Sequence, residues 1–339
     1  MRYLRGALSA VLFAGCMAPE EPEISPEGKS WRGVGTATCM PNVCGSSLPT
    51  MFECTYFWKL HSGGLSNDLG VHIVAVHRAD GTAMRLIAEA DRLRGVDPTT
   101  GVALADHAQL EGTVIIVTDN VTTRTITIRH VALADEHFLV GSLAAVEAYD
   151  VAYTPASGIG APLQVRVIAF TGDLYDPLTK RITVGPPTQG WINFACKGNT
   201  LYRQHVLGHT EAAQTRLGIA TTLPKRQAML NALAMNACGT GRTWSNDAEP
   251  ITLSESQHLL PPTSPYQAPP VSFEAIWTAD RAVCVNIPRL ATNASMVTET
   301  LSWMAIECGA PMPACTSAML EKWSATGDIV TGNPAGSSP

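Results

Sequence analysis

Charge is scarce in this sequence. Asp, Glu, Lys and Arg make up 15% of its 339 residues, against about 25% in an average soluble domain. Glu and Lys are too few for a coiled coil, and 45% apolar residues are too many for a disordered chain. A basic run with interleaved aromatics is missing, and the formal net charge is −6. That pattern excludes the usual electrostatic footprint of a nucleic-acid binder. Aromatic residues are only 6%. After the first fifteen residues no apolar run approaches the roughly 20 residues of a membrane span. Val114 to Val117, for example, is a short strand-like run. The sequence has no G-x-S-x-G, P-loop, G-x-G-x-x-G, EF-hand loop, H-E-x-x-H or C-x-x-C. No cofactor is implied, and no ready-made catalytic motif announces an enzyme.

What the sequence does contain is turns and cysteines. The 28 Gly and 23 Pro are spread without period, which argues against a helical bundle. There are nine Cys. The first fifteen residues have the layout of an export signal: Arg2 and Arg5, then apolar Gly6 to Phe13, then small Ala14 and Gly15. Leu12-Phe13-Ala14-Gly15-Cys16 resembles a bacterial lipoprotein box, in which Cys16 is acylated. An ordinary signal peptide ending near a Cys is the alternative. Phe13 departs from the Leu usual in the box. Met17 rather than Asp follows Cys16, and the resemblance then implies the outer membrane. Residues 16–30 are rich in Pro, Glu and Ser and read as a disordered tether of roughly 3.1 Å per residue when extended. Loss of residues 1–15 removes two Arg and no acid, so the charge moves from −6 to −8. Such a body is held to a membrane by lipid and not by a basic patch.

With Cys16 set aside, Cys39, Cys44, Cys54, Cys196, Cys238, Cys284, Cys308 and Cys315 remain. An even count in an exported chain reads as a disulfide framework. Three lie before residue 60 and five after residue 190. Complete pairing therefore requires at least one bridge between the two groups. Zinc is the competing reading, but Cys39-x4-Cys44 and Cys308-x6-Cys315 do not form a paired zinc pattern.

Alternating apolar residues predict strands at Val71–Val76, Thr113–Val117, Arg124–Arg129, Val146–Thr154 and Leu163–Phe170. A turn is expected at Ala79–Thr82. Helical spacing predicts a run from Pro224 to Cys238 with Thr222 as cap, and another over Ala294–Cys308 between Asn293 and Gly309. A short third helix is expected around Cys315, Met319 and Trp323. The fold class is α+β. Residues 31–195 should be mainly antiparallel β, a sandwich or open barrel. Residues 196–325 should be a disulfide-braced region with two to three helices, and residues 326–339 a disordered tail.

Tyr175-Asp176-Pro177-Leu178-Thr179, Phe194-Ala195-Cys196-Lys197-Gly198, Met235-Asn236-Ala237-Cys238-Gly239 and Phe273-Glu274-Ala275-Ile276-Trp277 occur in an order that resembles the ADYC-domain family of bacterial secreted proteins and lipoproteins. Asp280, Ala282 and Cys284 extend the last motif. The family's Ala-Asp-Tyr-Cys tetrad keeps only its Cys, at Cys238. Gln204 and Met229 stand where two further family cysteines are expected, and their joint replacement implies one lost disulfide. The resemblance implies architecture and address but no activity.

Several residues invite a chemical reading. His205 and His209 stand four apart with Glu211 nearby, a metal-ligand spacing if helical, but Gly208 weakens a helix there and surface or half-buried histidines are the expected reading. Asp135-Glu136 and Ser66-Asn67-Asp68 read as a solvated turn and a loop. The even count leaves no Cys free as a nucleophile. Trp31, Trp58, Trp191, Trp244, Trp277, Trp303 and Trp323 are expected mainly as core anchors, with a ligand groove as the alternative. The function expected is a cell-envelope structural or binding module, with a membrane contact through lipid only and a protein or carbohydrate ligand. The rival is an envelope hydrolase assembled from distant residues. A polar pocket with His205 or His209 on a carboxylate would favour that rival.

Overall fold

Strands with two buried faces set the architecture. The computed structural model describes residues 51–52, 55–56, 58–134, 146–154, 163–176, 181–210, 221–241, 243–244, 252–254, 272–289, 291, 293–326 and 329–333. Cys16, Cys39, Cys44, Cys54, Asp135, Glu136, Glu211 and Trp31 lie outside them.

The strands of the first part are β1 (Met51–Phe52), β2 (Thr55–Tyr56), β3 (Leu60–His61), β4 (His72–His77), β5 (Arg85–Glu89), β6 (Arg92–Val96), β7 (Ala103–Asp106), β8 (Val114–Thr118), β9 (Thr123–Leu133), β10 (Glu147–Thr154) and β11 (Leu163–Phe170). They are followed by β12 (Leu174–Tyr175), β13 (Ile182–Thr183), β14 (Trp191–Cys196), α1 (Thr200–Val206) and α2 (Leu223–Ala234). The last part holds β15 (Thr252–Ser254), β16 (Ser272–Trp277), β17 (Ala282–Val285), α3 (Ala294–Cys308), α4 (Ser317–Thr326) and β18 (Ile329–Asn333).

Seven strands form one antiparallel sheet in the order β3-β14-β11-β10-β9-β8-β4. Its two edge strands, β3 and β4, lie against each other, so the sheet is a near-barrel. In β9, Arg124, Ile126 and Ile128 point inward and Thr123, Thr125 and Thr127 do not, the alternation the sequence displays. By contrast β10 is buried on both faces. Tyr149, Val151 and Tyr153 fill the barrel interior, while Val146 and Ala148 pack outside it. A three-stranded sheet, β5-β6-β7, adds Leu86, Leu93 and Ala105 to the interior core.

The outer face of β10, β11 and β14 is covered by helices. Ile168, Phe170 and Ala195 pack against Leu201, Tyr202 and Val206 of α1 and Leu230 of α2. This core runs across residue 196. The sequence did not signal α1, a short helix capped by Asn199, whose side chain accepts a hydrogen bond from the Leu201 N–H. With it the described residues hold four α-helices. α3 matches its expected span, its Asn293 cap and its Gly309 end. α2 starts at the expected Thr222 cap but stops at Ala234 instead of Cys238. Met235 adopts a left-handed conformation (φ 50°), and its N–H bonds back to Ala232 and Asn231. That geometry ends a helix even without glycine.

The tail expected to be disordered is corrected by β18. Ile329–Asn333 pairs with both β15 and β16 in the sheet β15-β18-β16-β17. Ile329 is fully buried with Trp244, Trp277 and Met304. The segment finds its apolar partners on distant strands, which its own short sequence does not display.

Candidate functional site

A two-residue turn supplies the first functional side chain. β5 and β6 pair up to Glu89 and Arg92, leaving Ala90 and Asp91 as the loop. Both have positive φ, 51° and 59°. A hairpin of this kind favours Asn-Gly, because left-handed backbone costs residues with a Cβ about 1 kcal/mol or more. Here the strained turn delivers a carboxylate. Asp91 Oδ1 accepts a hydrogen bond from His205 Nδ1 at 3.0 Å, and Oδ2 accepts one from the Thr210 hydroxyl at 2.8 Å. His205 sits on the last turn of α1, packed against the Phe170 ring at 4.1 Å.

On the far side of the imidazole, Asp173 Oδ2 lies 3.8 Å from His205 Nε2. Asp173 also accepts the Gly185 N–H and faces Arg226 of α2 at 3.5 Å. Gly172 beside it has φ +107°, and a Cβ there would press on the Pro186 carbonyl at 2.6 Å. Glycine lets the two loops touch, which brings the Thr171 hydroxyl to the Thr188 carbonyl at 2.6 Å. Burial pulls the His205 pKa down, but the charges and hydrogen bonds of Asp91 and Asp173 outweigh it, and the net shift is upward. His205 therefore lies between two carboxylates that favour its protonated form.

A cleft of about 670 Å³ opens over this cluster. One wall is Arg85, Glu89 and the Ala90-Asp91 turn; the other is Thr171 and the 187–190 segment, with His61 at the mouth. Trp191 stacks edge-on against His61 with ring centres 4.7 Å apart. A second cleft of about 260 Å³ lies on the other side of the same hairpin. There buried Glu147 holds His107 through a short contact, accepts the Tyr149 hydroxyl at 2.9 Å, and lies 4.0 Å from Arg92. Burial, with Glu147 alongside, raises the Tyr149 pKa.

The histidine pair read from spacing is separated by the fold. α1 ends at Val206, so His205 and His209 do not share a helical face. His209 is fully buried, and its pKa falls to about 3 through burial and the nearby charges of Lys225 and Arg226. No group of three metal-ligating side chains exists among the described residues. Ser66-Asn67-Asp68 is a loop, with buried Asn67 accepting from Leu69 and Val71 N–H and donating to the Trp58 carbonyl. Trp58, Trp244 and Trp277 are core residues, whereas Trp191 is half-buried beside the cleft.

Of the framework cysteines, Cys238 bonds Cys308 and Cys284 bonds Cys315. Cys196 is disulfide-bonded as well. The motif residues around them are structural. Glu274 is buried in a bidentate pair with Arg289, at 2.7 and 2.5 Å, and Arg289 also donates to the Ala232 and Leu233 carbonyls at the end of α2. Trp277 Nε1 donates to the Thr331 hydroxyl of β18 at 2.8 Å. Gln204 stands on α1 and donates to the Arg226 carbonyl at 3.1 Å, one turn from Met229 on α2.

Sequence reasoning missed Asp91, Asp173, Arg226 and Arg85. Asp91 and His205 are 114 residues apart, and no local pattern joins them. The only hint was a charged residue in a turn without Gly or Asn.

In comparison with known families, the model of the ADYC domain matches residues 107–291, more than half of the chain. No curated protein and no solved structure matches.

Proposed function

The chain belongs to the ADYC-domain family, and from that premise we propose an exported, lipid-anchored module of the cell envelope that binds a small polar ligand in the cleft over His205. The observation that carries binding is the cleft itself. It offers about 670 Å³, spaced hydrogen-bonding groups and a half-buried aromatic pair at its mouth, the features of a small-molecule site. A carbohydrate or a short peptide fits that chemistry. The address rests on Arg2, Arg5, the apolar run to Phe13 and Cys16, and on the tether behind it. Among the described residues no helix is long and apolar enough to cross a membrane.

Hydrolysis is the second reading, and one observation favours it: His205 lies on a carboxylate at the floor of a polar cleft. Binding is preferred because His205 is 1% exposed and its Nδ1 is already engaged by Asp91.

Two experiments test the address and the site. Cys16→Ser should move the protein from membranes to the soluble fraction, and unchanged fractionation would defeat the anchor. That soluble full chain is then screened by thermal shift against saccharides and short peptides. Gln189→Trp, which places a large ring at the cleft, should abolish any hit. Turnover of an ester or glycoside panel that disappears in His205→Gln would establish the hydrolase instead.

A further inference from the structure

Among the described residues, charges around the cleft are matched, with one exception. Asp91 has both oxygens engaged by His205 and Thr210. Glu89 pairs with Arg94 at 2.8 Å. Arg226 and His205 face Asp173. Arg85 of β5 lines the cleft and is half-buried. Its Nε is buried without a hydrogen-bond partner, and no carboxylate among the described residues lies within ion-pair distance of its guanidinium. His61, at the same mouth, does not supply a counter-charge. Burial first, and then the Arg85 charge, hold its pKa down.

A partly desolvated guanidinium without an anion is costly, more so when its surroundings are already neutralised. In a chain of net charge −6, surplus carboxylates are not in short supply, yet none is placed here. Guanidinium binds carboxylate through two parallel N–H···O bonds, which adds direction to attraction. We propose that Arg85 is the anion-recognition residue of the cleft, and that its ligand is a small carboxylate-bearing molecule. Arg85 clamps the carboxylate, and Thr188 and Gln189 on the opposite wall supply hydrogen bonds to the remainder. Two sources offer that group: a uronic-acid saccharide and the C-terminus of a short peptide. The inference rests on the cleft-binding reading above and deepens it.

The test is calorimetry on the full chain carrying Cys16→Ser, with trigalacturonate and trialanine as probes, each beside its methyl ester. One acid should bind, and its ester should bind at least about tenfold more weakly, as loss of a charge-assisted pair implies. Arg85→Gln should weaken the acid by a similar factor while leaving the ester unchanged. Arg85→Lys should fall between. Which acid binds identifies the source. Equal binding of acid and ester, or full affinity in a folded Arg85→Gln chain, overturns the assignment. If that binding is still blocked by Gln189→Trp, the cleft survives and only the carboxylate clamp is lost. Failure of both acids to bind overturns the clamp, and if no neutral saccharide or ester responds to Gln189→Trp either, the cleft reading falls with it.

Discussion

Asp91 at the tip of a strained hairpin and His205 at the end of α1 form a buried hydrogen bond of 3.0 Å. The bond ties the three-stranded β5-β6-β7 sheet to the helical layer. It also sets one side of the cleft floor. Two neighbouring buried histidines, His205 and His209, are shifted in opposite directions, which gives a pH signature.

His205 has a folded-state pKa above the ordinary 6.5. Its contribution to stability is complete below pH 6.5 and is lost as pH rises through the folded value. His209 has a folded-state pKa of about 3. Its neutral burial is without penalty above pH 6.5 and costs stability as pH falls from there toward 3. The melting temperature should therefore decline on both sides of about pH 6.5. His205→Gln should flatten the alkaline side and His209→Gln the acid side. Melting curves between pH 4 and 9 that keep both slopes in the two variants would contradict this.

Glu274→Gln should cost about 3–5 kcal/mol, because it leaves the Arg289 guanidinium buried and uncompensated. The double replacement Glu274→Leu with Arg289→Met should cost less than the single one. Urea unfolding of the three proteins checks the order. A neutral Glu274→Gln would mean the pair is open to water.

The two bridges close separations of 70 and 31 residues. In the chain-entropy account each is worth about 4 kcal/mol. Cys238→Ser with Cys308→Ser should loosen α3 from the turn after α2. Cys284→Ser with Cys315→Ser should free the start of α4 from β17. Hydrogen exchange should show the first pair exposing α3 amides and the second exposing α4 amides. Uniform exchange across both helices in either variant would argue for a single cooperative unit.

Gln204 and Met229 offer a test of the bridge that the resemblance implies at these positions. Gln204→Cys with Met229→Cys should oxidise to a new disulfide between α1 and α2. Its gain should be about 3 kcal/mol in stability. Mass spectrometry without reductant detects the loss of two hydrogens. Two persistent free thiols would show that α1 and α2 are packed in a different register from the bridged relatives that the resemblance implies.

How far the sequence revealed the fold depended on where the stabilising partner lay. α3 was legible to its last residue because Asn293, the apolar spacing and Gly309 are all local. β9 was legible because one face is wet, so its pattern alternates. β10 was read as a strand with alternating apolar residues, but the pattern did not show that both of its faces are covered. α1 is short and runs into Gly208, so nothing local announced it. β18 has only two apolar side chains to bury, Ile329 and Val330, and its value comes from β15 and β16. The site was less legible still. His205 was singled out for the wrong partner: spacing suggested His209, whereas the fold supplies Asp91 and Asp173. Arg85 carries no motif at all, and its meaning comes only from the carboxylates that are placed elsewhere.

The pairing of β18 also sets an order of events during synthesis. β16 is flanked by β17, which follows it almost at once, and by β18, which follows only after α3 and α4. Until then one edge of β16 has its backbone N–H and C=O groups open to any other strand. Cys284 and Cys315 both emerge in that interval, so their bridge can close while the sheet is still half made. A chain interrupted before residue 329 could still close that disulfide in an oxidising compartment, but with an unfinished sheet and a sticky edge on view.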